Sequence, residues 1–181
     1  AWYQNYGEIG PRALGNRSIL YNPCDPNGKD HVNTIKRREA FRPFAGTVLH
    51  HCADEWFDMQ GIVESPFMMY AVDALPHTYD KIPAILHVDK TCRVQTVTKK
   101  QNEHYYNLIA AFQQITDVPI LFNTSFNLGG EPLVETIEDA ITTCQNSQIN
   151  YLYVPKDQDI HIPYTMIKPK KLSLFDLDDS E

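Results

Sequence analysis

Apolar positions along the chain follow two periods, and together they predict an α/β fold. Tyr105, Leu108, Ile109, Phe112 and Ile115 recur at helical spacing, so Asn102 to Thr116 is the clearest helix, with an apolar stripe on one side. Asp117-Val118-Pro119 closes it, and Ile120-Leu121-Phe122 reads as a short buried strand. Thr136 is a predicted N-cap with Asp139 in a box-like role, and Ile137, Ala140, Ile141 and Cys144 form the inward face of a second helix. Gly46 to His51, Phe67 to Val72, Pro83 to Val88, Arg93 to Val97 and Tyr151 to Val154 read as strands. In the Arg93 strand, Val94 and Thr96 share one face and Arg93, Gln95 and Val97 the other. Ala53 to Met59 reads as a helical turn, and Asp30 caps a short helix running to Ala40, ended by Arg42-Pro43-Phe44.

One early stretch breaks both periods. Gly7 to Leu20, GEIGPRALGNRSIL, concentrates turn-formers, with Pro11 suited to the first position of a helix and Arg12 and Arg17 following. A helix N-terminus carrying arginines is an anion site for phosphate or carboxylate. The same residues also suit a turn followed by a solvated surface helix. A second polar passage follows the Ile120 strand, where Asn123-Thr124-Ser125-Phe126-Asn127 runs into Leu128-Gly129-Gly130. Such strand edges line ligand crevices in open α/β sheets, and their amides and hydroxyls also serve ordinary turns.

Composition narrows the function classes. The chain has 181 residues, 43% hydrophobic and 22% charged, which suits one globular domain. No apolar run approaches the roughly 20 residues of a membrane-spanning helix. The net charge of −7 argues against nucleic-acid binding by charge alone. Cys24, Cys52, Cys92 and Cys144 are scattered with no CxxC pair, which fits reduced cysteines and a cytoplasmic location. The start at Ala1-Trp2-Tyr3 shows no secretory segment and opens in mid-element, as a fragment of a longer protein would; a processed initiator Met would leave the same start. The last residues are basic at Lys168, Lys170 and Lys171, then acidic at Asp176, Asp178, Asp179 and Glu181. This suggests a domain over 1–160 and a weakly ordered tail over 161–181.

The chemistry assembled from these parts is basic plus amide: Arg12, Arg17, Lys36, Arg38, Arg42 and Arg93 with Asn123, Ser125 and Asn127. No Walker loop, GxGxxG or metal-ligand spacing is present, and nothing places a histidine near Ser125. This set suits binding and polarising a polyanion rather than nucleophilic attack by the protein.

Four ordered motifs between Gly7 and Val154 carry a resemblance: GEIGPRALGNRSIL, IKRREAFRPFAGTVL, CRVQTV and PILFNTSFNLGGEPLVETIEDAI. Together they resemble the C-terminal domain of the NodU/CmcH-type carbamoyltransferases. The resemblance implies a YrdC-like fold, an open twisted mixed sheet with flanking helices, and a KxR…SxN constellation matched by Lys36-Arg37-Arg38 and Ser125-Phe126-Asn127. It implies a domain that uses carbamoyl phosphate and ATP, with Mg²⁺ on the nucleotide, to make carbamoyl-adenylate. An N-terminal, metal-containing transferase domain, absent from this chain, then passes the carbamoyl group to an acceptor hydroxyl. By the same resemblance Lys36, Arg38, Ser125 and Asn127 handle the phosphates and carbamoyl group, while Arg12, Arg17, Arg93 and Asn123 hold further nucleotide contacts. The competing expectation is a non-catalytic module of the same fold that binds nucleotide or RNA. The acidic net charge and compact motif set favour the small-molecule site.

Overall fold

The computed structural model describes residues 1–155. The predicted tail over 161–181 and the boundary at 160 lie outside the described residues. Eleven main elements follow in order: β1 (Trp2–Tyr3), β2 (Arg17–Tyr21), α1 (Gly28–Ile35), β3 (Ala45–Leu49), α2 (Ala53–Trp56), β4 (Phe57–Asp58), β5 (Tyr70–Ala74), β6 (Thr91–Val97), α3 (Glu103–Thr116), β7 (Ile120–Ser125) and α4 (Ile137–Gln145). The strands form one open, twisted mixed sheet in the order β1-β2-β7-β3-β6-β5-β4. Only β3 and β6 run parallel; every other neighbouring pair is antiparallel.

Register determines what the sheet presents. Ala45 pairs with both Arg93 and Asn123, and Thr47 pairs with both Gln95 and Leu121. Paired residues share a face, so Arg93, Ala45 and Asn123 form one row and Gln95, Thr47 and Leu121 the next. The face expected for Arg93, Gln95 and Val97 is therefore the observed one. One apolar core gathers Val32, Phe44, Val48, Phe57, Tyr105 and Phe122, and a second gathers Tyr3, Ile19, Phe126, Ile137 and Ile141.

The two strongest helix predictions are observed. Asn102 caps α3 by accepting a hydrogen bond from the Tyr105 N–H at 3.1 Å. The Thr136 capping box is complete, with Thr136 Oγ1 accepting from Asp139 N and Asp139 accepting from Thr136 N. The inward face of α4 is buried as its spacing implies. In α3, Tyr105 and Ile109 are fully buried, but Ile115 is 84% exposed, two residues before Asp117 ends the helix in the left-handed region.

Other predictions are corrected. The Gly7 stretch contains no helix: residues 7–16 are loop, and Arg17 opens β2. Glu8 holds this loop by accepting hydrogen bonds from the backbone N–H groups of Leu14, Asn16 and Arg17. Gly10 and Gly15 sit at φ of 145° and 103°, which no right-handed helix allows. The helix expected to reach Ala40 stops at Ile35, because Arg37 takes a left-handed φ of 54°. His50–Cys52 is a 3₁₀ turn rather than the end of a strand. The predicted Phe67 strand is displaced to Tyr70–Ala74 and alternates exposed and buried positions at its C-terminal half. Pro83 to Val88 supplies no strand. Pro83 brings no N–H to a ladder, residues 83–85 form a 3₁₀ turn, and Ala84 N–H binds the Pro23 carbonyl instead. Tyr151 to Val154 makes only an isolated bridge, between Tyr153 and Trp2.

Candidate functional site

The polar passage after Phe122 stays within β7, so Asn123 and Ser125 project from one face of the sheet. Between Arg93 and Asn123 in that row stands Ala45, which is fully buried. Over this face lies the 7–16 loop, tied down by Asn123 Nδ2 to the Ala13 carbonyl at 3.1 Å and Gln95 Nε2 to the Leu14 carbonyl at 2.9 Å. The result is a cleft of about 370 Å³ whose lining includes Arg12, Arg38, Arg42, Arg93, Asn123 and Ser125.

Each arginine arrives differently. Arg93 stands at the third position of β6. Arg12 comes from the loop. Arg38 follows the left-handed Arg37, and its Nε donates to Asn33 Oδ1 at 2.6 Å while its guanidinium lies 4.1 Å from the Phe44 ring centroid. Asn33 also donates to the Ala40 and Arg42 carbonyls, so one buried amide organises the whole 38–42 turn. Burial, with Arg42 and Arg93 nearby, pulls the Arg38 guanidinium down to about 10. Burial and the charge of Arg12 likewise lower Arg93. Among the described residues Arg12, Arg38 and Arg93 form no ion pair, and the buried Nε atoms of Arg12 and Arg93 lack hydrogen-bond partners. Among the described residues no carboxylate lines the cleft; the Glu39 carboxylate pairs with Arg42 at 2.8 Å. Converging cations without a counter-charge repel one another, and an oxyanion relieves that repulsion.

Lys36 and Asn127 stand behind this lining. Lys36 is 3% exposed, and its Nζ lies 2.6 Å from the Ser125 carbonyl, 3.2 Å from Ser125 Oγ, 3.0 Å from the Asn127 carbonyl and 2.9 Å from Asn127 Oδ1. Ser125 Oγ in turn donates to Asn127 Oδ1 at 2.7 Å. Burial, then Arg38, pushes the Lys36 ammonium down to about 7. The KxR and SxN segments thus meet as one knot, with Ser125 its member at the cleft. Gly129 makes the docking possible: its N–H donates to the Lys36 carbonyl at 2.6 Å, and a Cβ there would stand 2.7 Å from the Arg37 carbonyl oxygen.

Arg17 is not part of this cleft. It is 2% exposed, and its guanidinium donates to the carbonyls of Gln4, Asn16, Asn5 and Glu135 while lying 3.5 Å from the Tyr3 ring centroid. It ties the N-terminal strand to the residues before α4. Asn123 reaches the cleft, but its Nδ2 is committed to Ala13, Thr47 and Gln95. Met68, in the cleft wall, is a residue that sequence reasoning missed. Buried at a left-handed φ of 56°, it follows no periodic or motif signal.

For a metal, the residues offer no direct set. Among the described residues no group of three or more His, Cys, Asp or Glu side chains could hold one. A Mg²⁺ ion in this cleft would be carried by phosphate oxygens. The four cysteines are free, and among the described residues no helix is long and apolar enough to cross a membrane.

Comparison with known proteins agrees with the motif resemblance. A family model described as Carbamoyltransferase C-terminus matches residues 1–158. Nodulation protein NolO of Bradyrhizobium diazoefficiens is 44% identical over 155 residues, which are 84% of this chain and 28% of that protein. Nodulation protein NolNO of Sinorhizobium fredii is also 44% identical over 155 residues, covering 84% of this chain and 23% of its own length. Nodulation protein U of Rhizobium tropici is 36% identical over 146 residues. The chain spans about a quarter of the length of these curated relatives.

Proposed function

The chain belongs to the carbamoyltransferase C-terminus family, and on that premise we propose that its cationic cleft is a carbamoyl-activation site that binds ATP and carbamoyl phosphate and forms carbamoyl-adenylate. The observation that carries this reading is the convergence of Arg12, Arg38 and Arg93, without a carboxylate, over Ser125. In the reaction, water cleaves carbamoyl phosphate to carbamate and phosphate. A carbamate oxygen then attacks the α-phosphorus of ATP, the bond to the β-phosphate oxygen breaks, and pyrophosphate leaves. Charge grows on non-bridging oxygens throughout, so fixed guanidinium groups lower the barrier by positioning and charge stabilisation. Arg12, Arg38 and Arg93 hold phosphate oxygens, and Mg²⁺ arrives with the nucleotide. Ser125 contacts the carbamoyl group, while Lys36 and Asn127 fix Ser125 from behind. The remainder of the intact protein, for which the greater length of the relatives leaves room, then transfers the activated carbamoyl group to the hydroxyl of a small acceptor molecule.

The test is exchange of labelled pyrophosphate into ATP in the presence of Mg²⁺ and carbamoyl phosphate. Exchange is expected, lost in Lys36→Ala and Ser125→Ala and weakened in Arg38→Lys, because lysine lacks the bidentate fork. ATP binding without exchange would leave a nucleotide-binding module. RNA binding that persists at high salt would sink the small-molecule reading.

A further inference from the structure

The side-chain amide of Asn123 has one polar end committed and the other open. Asn123 is 1% exposed and belongs to the lining of the cationic cleft. Its Nδ2 donates to the Ala13 carbonyl at 3.1 Å, to Thr47 Oγ1 at 3.1 Å and to Gln95 Oε1 at 3.2 Å. Its Oδ1 is buried and, among the described residues, receives no hydrogen bond. The neighbours fix which end is which. A backbone carbonyl only accepts, so the Ala13 carbonyl requires the nitrogen of the amide. Gln95 is set in the same way: its Nε2 donates to the Leu14 carbonyl at 2.9 Å, which leaves its Oε1 to accept from Thr47 Oγ1 at 2.7 Å and from Asn123. Turning the Asn123 amide over would bring its oxygen against the oxygens of Ala13 and Gln95.

The rest of the lining makes this open acceptor distinctive. Its charged groups are the guanidiniums of Arg12, Arg38, Arg42 and Arg93, which only donate. Ser125, two residues on along β7 and on the same face, spends its hydroxyl hydrogen on Asn127 Oδ1 at 2.7 Å and accepts from Lys36 at 3.2 Å. A small ligand that satisfies both kinds of group has an anionic end for the arginines and an N–H for Asn123 Oδ1. A buried acceptor left without a donor costs free energy, so a site of this kind rejects an analogue that lacks the N–H.

We propose that Asn123 is a specificity-determining residue of the cleft: its Oδ1 accepts a hydrogen bond from the amide N–H of carbamoyl phosphate and so selects that substrate over acyl phosphates with a methyl group in the same place. This rests on the carbamoyl-activation reading for the phosphate end and assigns the group that tells a carbamoyl from an acetyl. The phosphate and carbonyl oxygens of the two substrates are alike to the arginines. A methyl group donates no hydrogen bond, so acetyl phosphate leaves Oδ1 buried and unpaired.

The experiment compares two hydrolysis-resistant probes, phosphonoacetamide and acetonylphosphonate, which share a phosphonate and a carbonyl and differ only in an NH₂ against a CH₃. Their binding to the full chain, and that of pyrophosphate, is measured by calorimetry, with the Asn123 side-chain amide resonances followed in parallel. The unsubstituted chain is expected to bind phosphonoacetamide about 10-fold more tightly than acetonylphosphonate, and the Asn123 amide to shift more with the former. Asn123→Leu is expected to bring phosphonoacetamide down to the level of acetonylphosphonate and to leave the latter within about 2-fold. Arg38→Ala is expected to weaken both probes alike. Equal affinity of the two probes for the unsubstituted chain, a comparison that needs no variant to fold, overturns this inference and leaves the anion site standing. Binding of pyrophosphate but of neither probe does the same. Equal loss of both probes in Asn123→Leu makes Asn123 a brace of the 7–16 loop and also overturns it. Failure of the probes and pyrophosphate together overturns this inference and the activation reading at once.

Discussion

Lys36 makes the buried knot at the KxR and SxN segments measurable through pH. Burial lowers its ammonium from 10.5 to about 7 in the folded chain. The unfolded chain therefore holds this proton more tightly. The resulting destabilisation is fully present below about pH 7 and is relieved as pH rises towards 10.5. A lowering from 10.5 to about 7 corresponds to about 5 kcal/mol in full, and to a change of about 3 kcal/mol between pH 6 and pH 9. Lys36→Met removes the titrating group and also the donor to Ser125 and Asn127, so the variant is less stable above pH 9. Its deficit relative to wild type is expected to shrink as pH falls. Urea unfolding of both proteins at pH 6, 7, 8 and 9 isolates this effect, because every other titrating group is common to the two and cancels in the difference. Stability curves that run parallel across that range, with a pH-independent gap, would refute the reasoning and mean that the four oxygens around Nζ hold it charged.

Three further outcomes follow from the geometry. Gly129→Ala forces a methyl against the Lys36 and Arg37 carbonyls, so it is expected to destabilise by about 1–3 kcal/mol and to reduce pyrophosphate exchange without altering any cleft side chain, read by thermal unfolding and the exchange assay. Arg17→Leu is expected to cost about 3 kcal/mol of stability, because four backbone carbonyls lose a buried charged donor, whereas Arg93→Ala is expected to weaken pyrophosphate binding with little change in melting temperature. Thr136→Ala removes the capping box and is expected to cost about 1 kcal/mol with no effect on ligand titrations, since α4 packs in the second core.

Helices α3 and α4 were legible because local signals and packing agree there: a period of 3.6, an Asn or Thr cap and a helix-ending Asp117 or Asn146 point the same way. Gly7 to Leu20 misled because Pro11 and the arginines favour a helix start locally, while a long-range contest decides otherwise. The Glu8 carboxylate takes three N–H groups of the loop, and Trp2 Nε1 and Gln4 Nε2 both bind the Gly15 carbonyl. The candidate cations split for a similar reason. Arg12, Arg38 and Arg93 come from a loop, a turn and a strand, and only tertiary packing brings them together. Arg17 carries the same side chain as Arg12 within the same motif, yet its β2 position turns it to Tyr3 and four carbonyls. Residue type identified a cation, and tertiary packing decided whether it was a brace or a lining.

Several locally unfavourable features meet at the cleft. Arg37 and Met68, like Asn5, Gln60, Lys90 and Asp117 elsewhere in the chain, hold left-handed backbone angles without being glycine, each at a cost of about 1–2 kcal/mol. Lys36 is buried beside Arg38 rather than a carboxylate, and Arg12, Arg38 and Arg93 converge without a counter-ion among the described residues. A surface under no demand from a ligand would relax such strain by a glycine at position 37 or a carboxylate in the cleft. Both remedies also weaken an oxyanion site, the first by loosening the turn that aims Arg38 and the second by neutralising its charge. The uncompensated charge of Arg12, Arg38 and Arg93 is what the proposed oxyanion ligand would neutralise.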